Sequence, residues 1–345
     1  MWIIIALENL PYDFNIDGLI NELRKRKVKR ALIQLPNGLK KYHKHIVDYI
    51  RENLKEVEVW VSLTPTYGAC DVAINEAENL NADLIVHIGH NEYPYYKPTK
   101  PTLFIEAYYR WVPSSKILNL LLNKLEDIGC ENVGLVAVVQ HINSIKAVEK
   151  FLRDNKINVI VPKPVHRVMV LGQVLGCEYS CATSIVANVD CYIIISGGIF
   201  HALGLWLATQ KHVIKLDPYE NNVVLVDEYA KKVLKKRYMK IMQALQGKTM
   251  GIIDGSKPGQ HRPWLVKALK EKAEEKGIKT ILYITDYLSE ERLLNIDTCD
   301  IDFYVVTLCP RIAIDDLGDY IKPVLTPGEA FMVLEEQLEH YRFPW

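Results

Sequence analysis

Short runs rich in Val, Ile and Leu alternate along this chain with longer stretches of helical period, and the alternation restarts twice. Parallel strands joined by crossover helices produce that order of elements, so the fold class is α/β. Strand-like runs fall at residues 31–35, 57–63, 84–88 and 103–105, and then at 133–139, 159–161, 192–195 and 212–216. A third set lies at 250–253, 280–284 and 303–306, with 324–325 as a weak last strand. Segments 40–52, 145–155 and 264–276 carry apolar residues three and four apart with Lys and Glu on the other face, as amphipathic helices do. Asn155-Lys156 and Lys276-Gly277 are their expected stops, and the basic amphipathic stretch 231–246 is the expected connector between the second and third units. The restart interval of about one hundred residues is an ordinary domain size and far too long for a solenoid repeat. The pattern therefore predicts three pseudo-symmetric repeats of a small parallel-sheet α/β domain around a central site, divided at 1–112, 113–226 and 227–345.

Composition narrows the function classes. In 345 residues, 42 Lys and Arg balance 42 Asp and Glu, so overall charge gives no support to nucleic-acid or membrane binding. The run at residues 2–7 is too short for a signal h-region and lacks a basic flank. No apolar stretch approaches the ~20 residues that cross a bilayer, and the expectation is a cytoplasmic protein. Seven cysteines in such a chain are not expected to form a disulfide framework. Buried thiols, a metal site or a redox site remain.

Three cysteines stand apart from the rest. Cys70 lies in Pro65-Thr66-Tyr67-Gly68-Ala69-Cys70-Asp71, Cys177 in Gly172-Gln173-Val174-Leu175-Gly176-Cys177, and Cys309 in Thr307-Leu308-Cys309-Pro310-Arg311. Cys70 and Cys177 follow the second strand of their units. Cys309 follows the third strand of its own, where the other units carry Gly89-His90 and Ser196-Gly197-Gly198. All three fall at carboxyl ends of parallel strands, the edge at which open α/β sheets bind ligands. If those edges face one another, three dispersed thiolates can hold an iron–sulfur cluster with one iron left open. Zinc is the competing metal, but its structural sites usually fill four positions and often include a close C-x2-C pair, absent here. Cys130, Cys191 and Cys299 read as packing residues. Cys181, four residues after Cys177, is either a neutral passenger or an alternative ligand.

Several loops suit a small anionic or zwitterionic ligand. Pro36-Asn37-Gly38, Gly197-Gly198 and Lys257-Pro258-Gly259-Gln260 each turn toward a helix, whose first N–H groups bind carboxylates and phosphates. A plain βα turn is the simpler reading of any one of them. His90 and His201 sit at strand ends, where a histidine bonded to nearby backbone is the commoner case. Arg311 can clamp a carboxylate through its fork, and Asp315 and Asp316 suit a helix cap. No G-x-G-x-x-G or Walker A sequence occurs.

Tyr67-Gly68-Ala69-Cys70-Asp71, Gly172-Gln173-Val174-Leu175-Gly176-Cys177, Ser196-Gly197-Gly198-Ile199-Phe200-His201 and Leu216-Asp217-Pro218-Tyr219 stand in a significant order. With Cys309-Pro310-Arg311-Ile312-Ala313-Ile314-Asp315-Asp316 and Tyr320-Ile321-Lys322-Pro323-Val324-Leu325-Thr326-Pro327, they resemble the family of the first enzyme of diphthamide biosynthesis, in its compact archaeal form. The resemblance implies three related α/β domains, with Cys70, Cys177 and Cys309 binding a 4Fe-4S cluster. It implies a non-classical radical transferase that cleaves the sulfur–Cγ bond of S-adenosylmethionine. The 3-amino-3-carboxypropyl group goes to C2 of a histidine on translation elongation factor 2, and methylthioadenosine is left. A homodimer and an electron donor are also implied. Pro36, Asn37, Gly38, Gly197, Gly198, His201, Gly259, Gln260 and Arg311 are then the expected cofactor-binding residues, on the loop argument alone.

Two other readings share the bare three-cysteine plan. Quinolinate synthase is a triplicated α/β protein with one cluster cysteine per domain, and would condense small metabolites. A non-catalytic, cluster-bearing partner subunit is the other.

Overall fold

Each run of branched apolar residues becomes a strand, and the strands assemble into three separate parallel sheets. The computed structural model describes residues 9–345, so the apolar run at 2–7 lies outside the described residues. In the first sheet the strands Glu58–Val61, Arg30–Gln34, Leu84–Ile88 and Thr102–Ile105 lie side by side. The second has Asn158–Ile160, Asn132–Ala137, Cys191–Ile195 and His212–Asp217, and the third Lys279–Thr285, Thr249–Gly255, Phe303–Val306 and Val324–Leu325. Counted along the chain, these parallel strands run in the order 2-1-3-4 in every sheet. Central strands are mostly apolar because helices cover both faces; Leu84–Ile88 and Cys191–Ile195 are buried throughout.

The amino ends of the sheets share a device that no sequence argument above foresaw. Asp83, one residue before a third strand, accepts from the backbone N–H groups of Lys29 and Arg30 at 2.8 and 2.9 Å. Asp190 does the same for Glu131 and Asn132 at 3.2 and 2.8 Å, and Asp302 for Lys248 and Thr249 at 2.7 and 2.9 Å. One carboxylate thus staples the start of the first strand to the start of the third in all three sheets.

The expected helices form at His43–Asn53, Ile145–Asp154 and Pro263–Glu275. They stop where expected, with Lys156 and Gly277 in the left-handed region at φ 65° and 71°. The connector runs over Asp227–Ala244 and is fixed by its buried Arg237, which donates to both oxygens of Glu329 at 2.7 and 2.6 Å. Three strands go beyond the expected set. Asn222–Leu225 adds an antiparallel edge to the second sheet, and Tyr12–Asp13 pairs antiparallel with Tyr108–Tyr109.

Two expectations about cysteine are corrected. Cys130 and Cys191 are buried, but they form a disulfide rather than packing as free thiols. They lie just before and at the start of neighbouring strands of the second sheet, so the register of that sheet brings them together. Cys299 is exposed and packs in no core. No helix of the described residues is long and apolar enough to cross a membrane.

Candidate active site at the three cysteine loops

The carboxyl edges of the sheets are built differently, from side chains that reach between loops far apart in sequence. At the end of strand Arg30–Gln34, the buried Gln34 amide donates to the Asp71 carbonyl at 2.6 Å and accepts from the Ala73 N–H at 3.1 Å. This holds the loop that carries Cys70. The loop is pinned to the third sheet's side by Lys257, whose ammonium stands 2.6 Å from the buried Asp71 carboxylate. Burial raises the Asp71 carboxyl above its ordinary range, and Lys257 opposes that. Gly259 packs so closely that a Cβ there would stand 2.3 Å from the Cys70 carbonyl oxygen. Only glycine allows that approach. The next residue, Gln260, points its side-chain amide at Cys70 Sγ, 3.7 Å away.

The Cys177 loop rests on a buried amide pair. Gln173 and Asn91 exchange two hydrogen bonds, at 2.9 and 2.7 Å, joining the second sheet to the first. Gly176 leaves room for Phe200, whose ring a Cβ would meet at 2.5 Å. Cys177 Sγ lies 3.7 Å from the Tyr93 hydroxyl, and the Trp345 indole donates to the Cys177 carbonyl at 3.2 Å. Cys309 follows Leu308, whose carbonyl accepts from Arg262 at 3.2 Å.

Cys70, Cys177 and Cys309 carry free thiols, and each is only partly exposed. Burial pushes them up to about 12, 11 and 12 from the ordinary 9.0, and each is raised further by one of the others. Such thiols stay neutral unless a cationic centre lies among them, because thiolates are the metal-binding form. Among the described residues no three His, Cys, Asp or Glu side chains are gathered to hold a single metal ion. A tetrahedral zinc would set its sulfurs about 3.8 Å apart, from Zn–S bonds of ~2.3 Å. A cluster that takes each cysteine on a different iron asks for wider spacing.

The other expected residues divide. Gly259 and Gln260 lie against Cys70, as above. His201 opens helix Phe200–Thr209; burial lowers it to about 4, and the Arg311 cation adds to that. Arg311 is half-exposed, sits 5.9 Å over the Phe200 ring and pairs with Asp315 at 3.4 Å. Asp315 and Asp316 lie inside the turn Ile312–Asp316 rather than capping a helix. Gly197 packs beneath the Tyr219 ring and Gly198 takes a left-handed φ of 66°. Pro36 packs against Gly89, while Asn37 and Gly38 are exposed. His90 bonds to the buried His87 ring at 2.9 Å rather than to backbone. Cys181 is buried and donates its thiol to the Gln173 carbonyl at 3.1 Å, which makes it a packing residue. Sequence reasoning missed Gln34, Tyr93, Arg262 and Trp345, whose roles arise only from contacts across the fold.

This arrangement has counterparts. The family model described as "Putative diphthamide synthesis protein" matches residues 35–343. The chain is 32% identical over 325 residues to 2-(3-amino-3-carboxypropyl)histidine synthase of Pyrococcus horikoshii, covering 94% of this chain and 91% of that one. It is 29% identical to the protein of that name from Methanocaldococcus jannaschii, covering 94% and 89%. It is 29% identical to subunit 1 from Schizosaccharomyces pombe, covering 94% and 74%. The crystal structure of Dph2 from Pyrococcus horikoshii with a 4Fe-4S cluster superposes with a TM-score of 0.84 at 30% identity, covering 96% of this chain and 93% of that one. The chain belongs to the diphthamide synthesis family.

Proposed function

We propose that Cys70, Cys177 and Cys309 hold a 4Fe-4S cluster, with which the chain cleaves S-adenosylmethionine at its sulfur–Cγ bond. The chain is an enzyme of diphthamide biosynthesis, as its family and near-complete coverage by the named synthases indicate. What supports the cluster reading is that three free thiols, each on a loop at the carboxyl edge of a different sheet, are each raised by the charge of another of the three. The same-fold neighbour with a 4Fe-4S cluster supports it. When bound, such a cluster supplies an electron and an open iron beside the sulfonium.

The chain's own residues do the rest. Gly259 lets its loop pack against the Cys70 backbone, and Gln260 and Tyr93 direct donors at Cys70 and Cys177. Arg311 offers a fork to the cofactor's carboxylate, and His201, neutral, sets a hydrogen-bonding ring beside it. The loops at Pro36-Asn37-Gly38 and Gly197-Gly198 present backbone to the remaining amino-acid and ribose groups. The 3-amino-3-carboxypropyl group passes to C2 of a histidine on translation elongation factor 2, leaving methylthioadenosine.

The division at 1–112, 113–226 and 227–345 into three repeated domains is supported by the common strand order and the three aspartate staples. A homodimer is supported by exposed apolar side chains on edge strands, left uncovered by the described residues. Lys279–Thr285 exposes Ile281, Leu282 and Ile284, and Glu58–Val61 exposes Trp60. Such edges invite pairing with a second chain. A cytoplasmic location and a separate electron donor complete the reading.

The test is anaerobic. The chain is reconstituted with iron and sulfide, given dithionite and S-adenosylmethionine, and the nucleoside product is identified. Methylthioadenosine with 2-aminobutyrate or homocysteine sulfinate is expected. Deoxyadenosine alone would contradict Cγ–S cleavage, and no cleavage would favour a condensing enzyme or a partner subunit.

A further inference from the structure

One cation sits where the three cysteine loops meet, and no reading of the sequence marks it. Arg262 is 7% exposed and immediately precedes helix Pro263–Glu275. Its guanidinium donates to the Leu308 carbonyl at 3.2 Å, beside Cys309, and to the Tyr93 hydroxyl at 2.8 Å. Tyr93 in turn stands 3.7 Å from Cys177 Sγ. The same guanidinium lies 4.4 Å over the ring of Trp345, whose N–H holds the Cys177 carbonyl at 3.2 Å. Two residues earlier in the chain, Gln260 reaches Cys70. A single side chain therefore touches, directly or through one neighbour, the loops of Cys309 and Cys177, and the segment that carries it reaches Cys70 through Gln260.

The backbone that carries Arg262 is held as firmly. Asp254, 6% exposed, accepts from the Arg262 N–H at 3.1 Å, from His261 Nδ1 at 2.6 Å and from the Thr307 hydroxyl at 2.5 Å. Thr307 precedes Leu308 and Cys309, so Asp254 fixes Arg262 and the Cys309 strand end as one unit. A purely structural clamp would need no charge here. The guanidinium is planar, permanently cationic and less hydrated than an ammonium, which suits a buried site that must stay positive.

We propose that Arg262 is a positioning residue of the cluster site that also sets its electrostatics, favouring the more negatively charged, reduced state of a cluster bound by Cys70, Cys177 and Cys309. The inference rests on the reading that those cysteines hold the cluster. One-electron reduction adds a negative charge to an already anionic assembly of three thiolates. A fixed cation within the same loops offsets that charge at low local dielectric.

The test compares the reconstituted wild type with Arg262→Gln, Arg262→Lys and Tyr93→Phe. Iron per chain, cluster midpoint potential by spectroscopic titration and the melting temperature of the cluster-free chain are measured for each. At matched iron content, Arg262→Gln is expected to lower the reduced-to-oxidised ratio at a fixed potential by about tenfold, ~59 mV for one electron. Arg262→Lys should keep most of the wild-type potential, and Tyr93→Phe should shift it less than Arg262→Gln in the same direction. A wild-type potential in Arg262→Gln, whatever its melting temperature, overturns the proposal. If Arg262→Gln does not fold or load iron, a wild-type potential in Tyr93→Phe overturns it instead. A wild type that binds no cluster would refute the cysteine reading, which is a different failure.

Discussion

The two edges of the same sheets handle cysteine in opposite ways. At the amino edge of the second sheet, Cys130 and Cys191 close on each other as a disulfide inside an apolar core. At the carboxyl edges, Cys70, Cys177 and Cys309 remain free, and glutamine, tyrosine, arginine and glycine from other segments surround them. The amino edge is closed locally by partners that the strand register sets, including the aspartate staples at 83, 190 and 302. The carboxyl edge is held by long-range bonds that leave the three thiols free. Chemistry is confined to one side of the fold because parallel strands end their loops together there, while the other side carries stability.

That contrast can be broken from either edge. Cys130→Ala is expected to cost about 2–4 kcal/mol of stability, the usual worth of a buried disulfide, with no loss of iron or of cofactor cleavage. Denaturant unfolding beside an iron assay checks both halves, and a large loss of iron would erase the distinction between edges. A smaller effect is expected from Asp302→Ala, which leaves two N–H groups without their carboxylate. Hydrogen bonds to a charged acceptor are worth ~1.5–3 kcal/mol, and exposure of this one should place it at the low end. Equal losses from Asp83→Ala and Asp190→Ala would sharpen the case for three repeats.

The gentlest probe is pH. The carboxyl edges bury neutral imidazoles: burial holds His87 well below 6.5 and lowers His90, His141 and His201 to about 4. The unfolded chain takes up those protons near pH 6.5, whereas the folded chain refuses them until about pH 4. Between these values the unfolded state binds more protons, so stability falls as pH drops. Melting of the cluster-free chain should therefore fall from pH 6.5 toward 4, and His87→Gln should flatten part of the slope. A melting temperature that held steady across that window would contradict the buried neutral histidines.

The sequence was most legible where the physics is local. Val-, Ile- and Leu-rich runs placed the strands of all three sheets to within a residue or two at most ends, and Lys156 and Gly277 stop helices because their backbones take the left-handed form. The cysteine loops were legible because each follows a strand of its unit and carries glycine or proline within two residues of the cysteine. What could not be read depends on contacts between distant segments. Nothing in His261-Arg262-Pro263 says that Arg262 will meet Tyr93, 169 residues away. Cys130 and Cys191 lie 61 residues apart and meet only because two strands pair in one register. Asn222–Leu225 lies outside the repeat plan as an antiparallel edge, so periodicity gave no place for it.

The measurement that reaches the centre of this account is iron binding by single-cysteine variants. Wild type, Cys70→Ala, Cys177→Ala, Cys309→Ala and Cys181→Ala are reconstituted anaerobically, and iron content and the paramagnetic signal of the reduced cluster are recorded. The account predicts that each of the first three variants loses the wild-type cluster signal and all cofactor cleavage, while Cys181→Ala keeps both. Full cleavage activity in Cys70→Ala, Cys177→Ala or Cys309→Ala would contradict it.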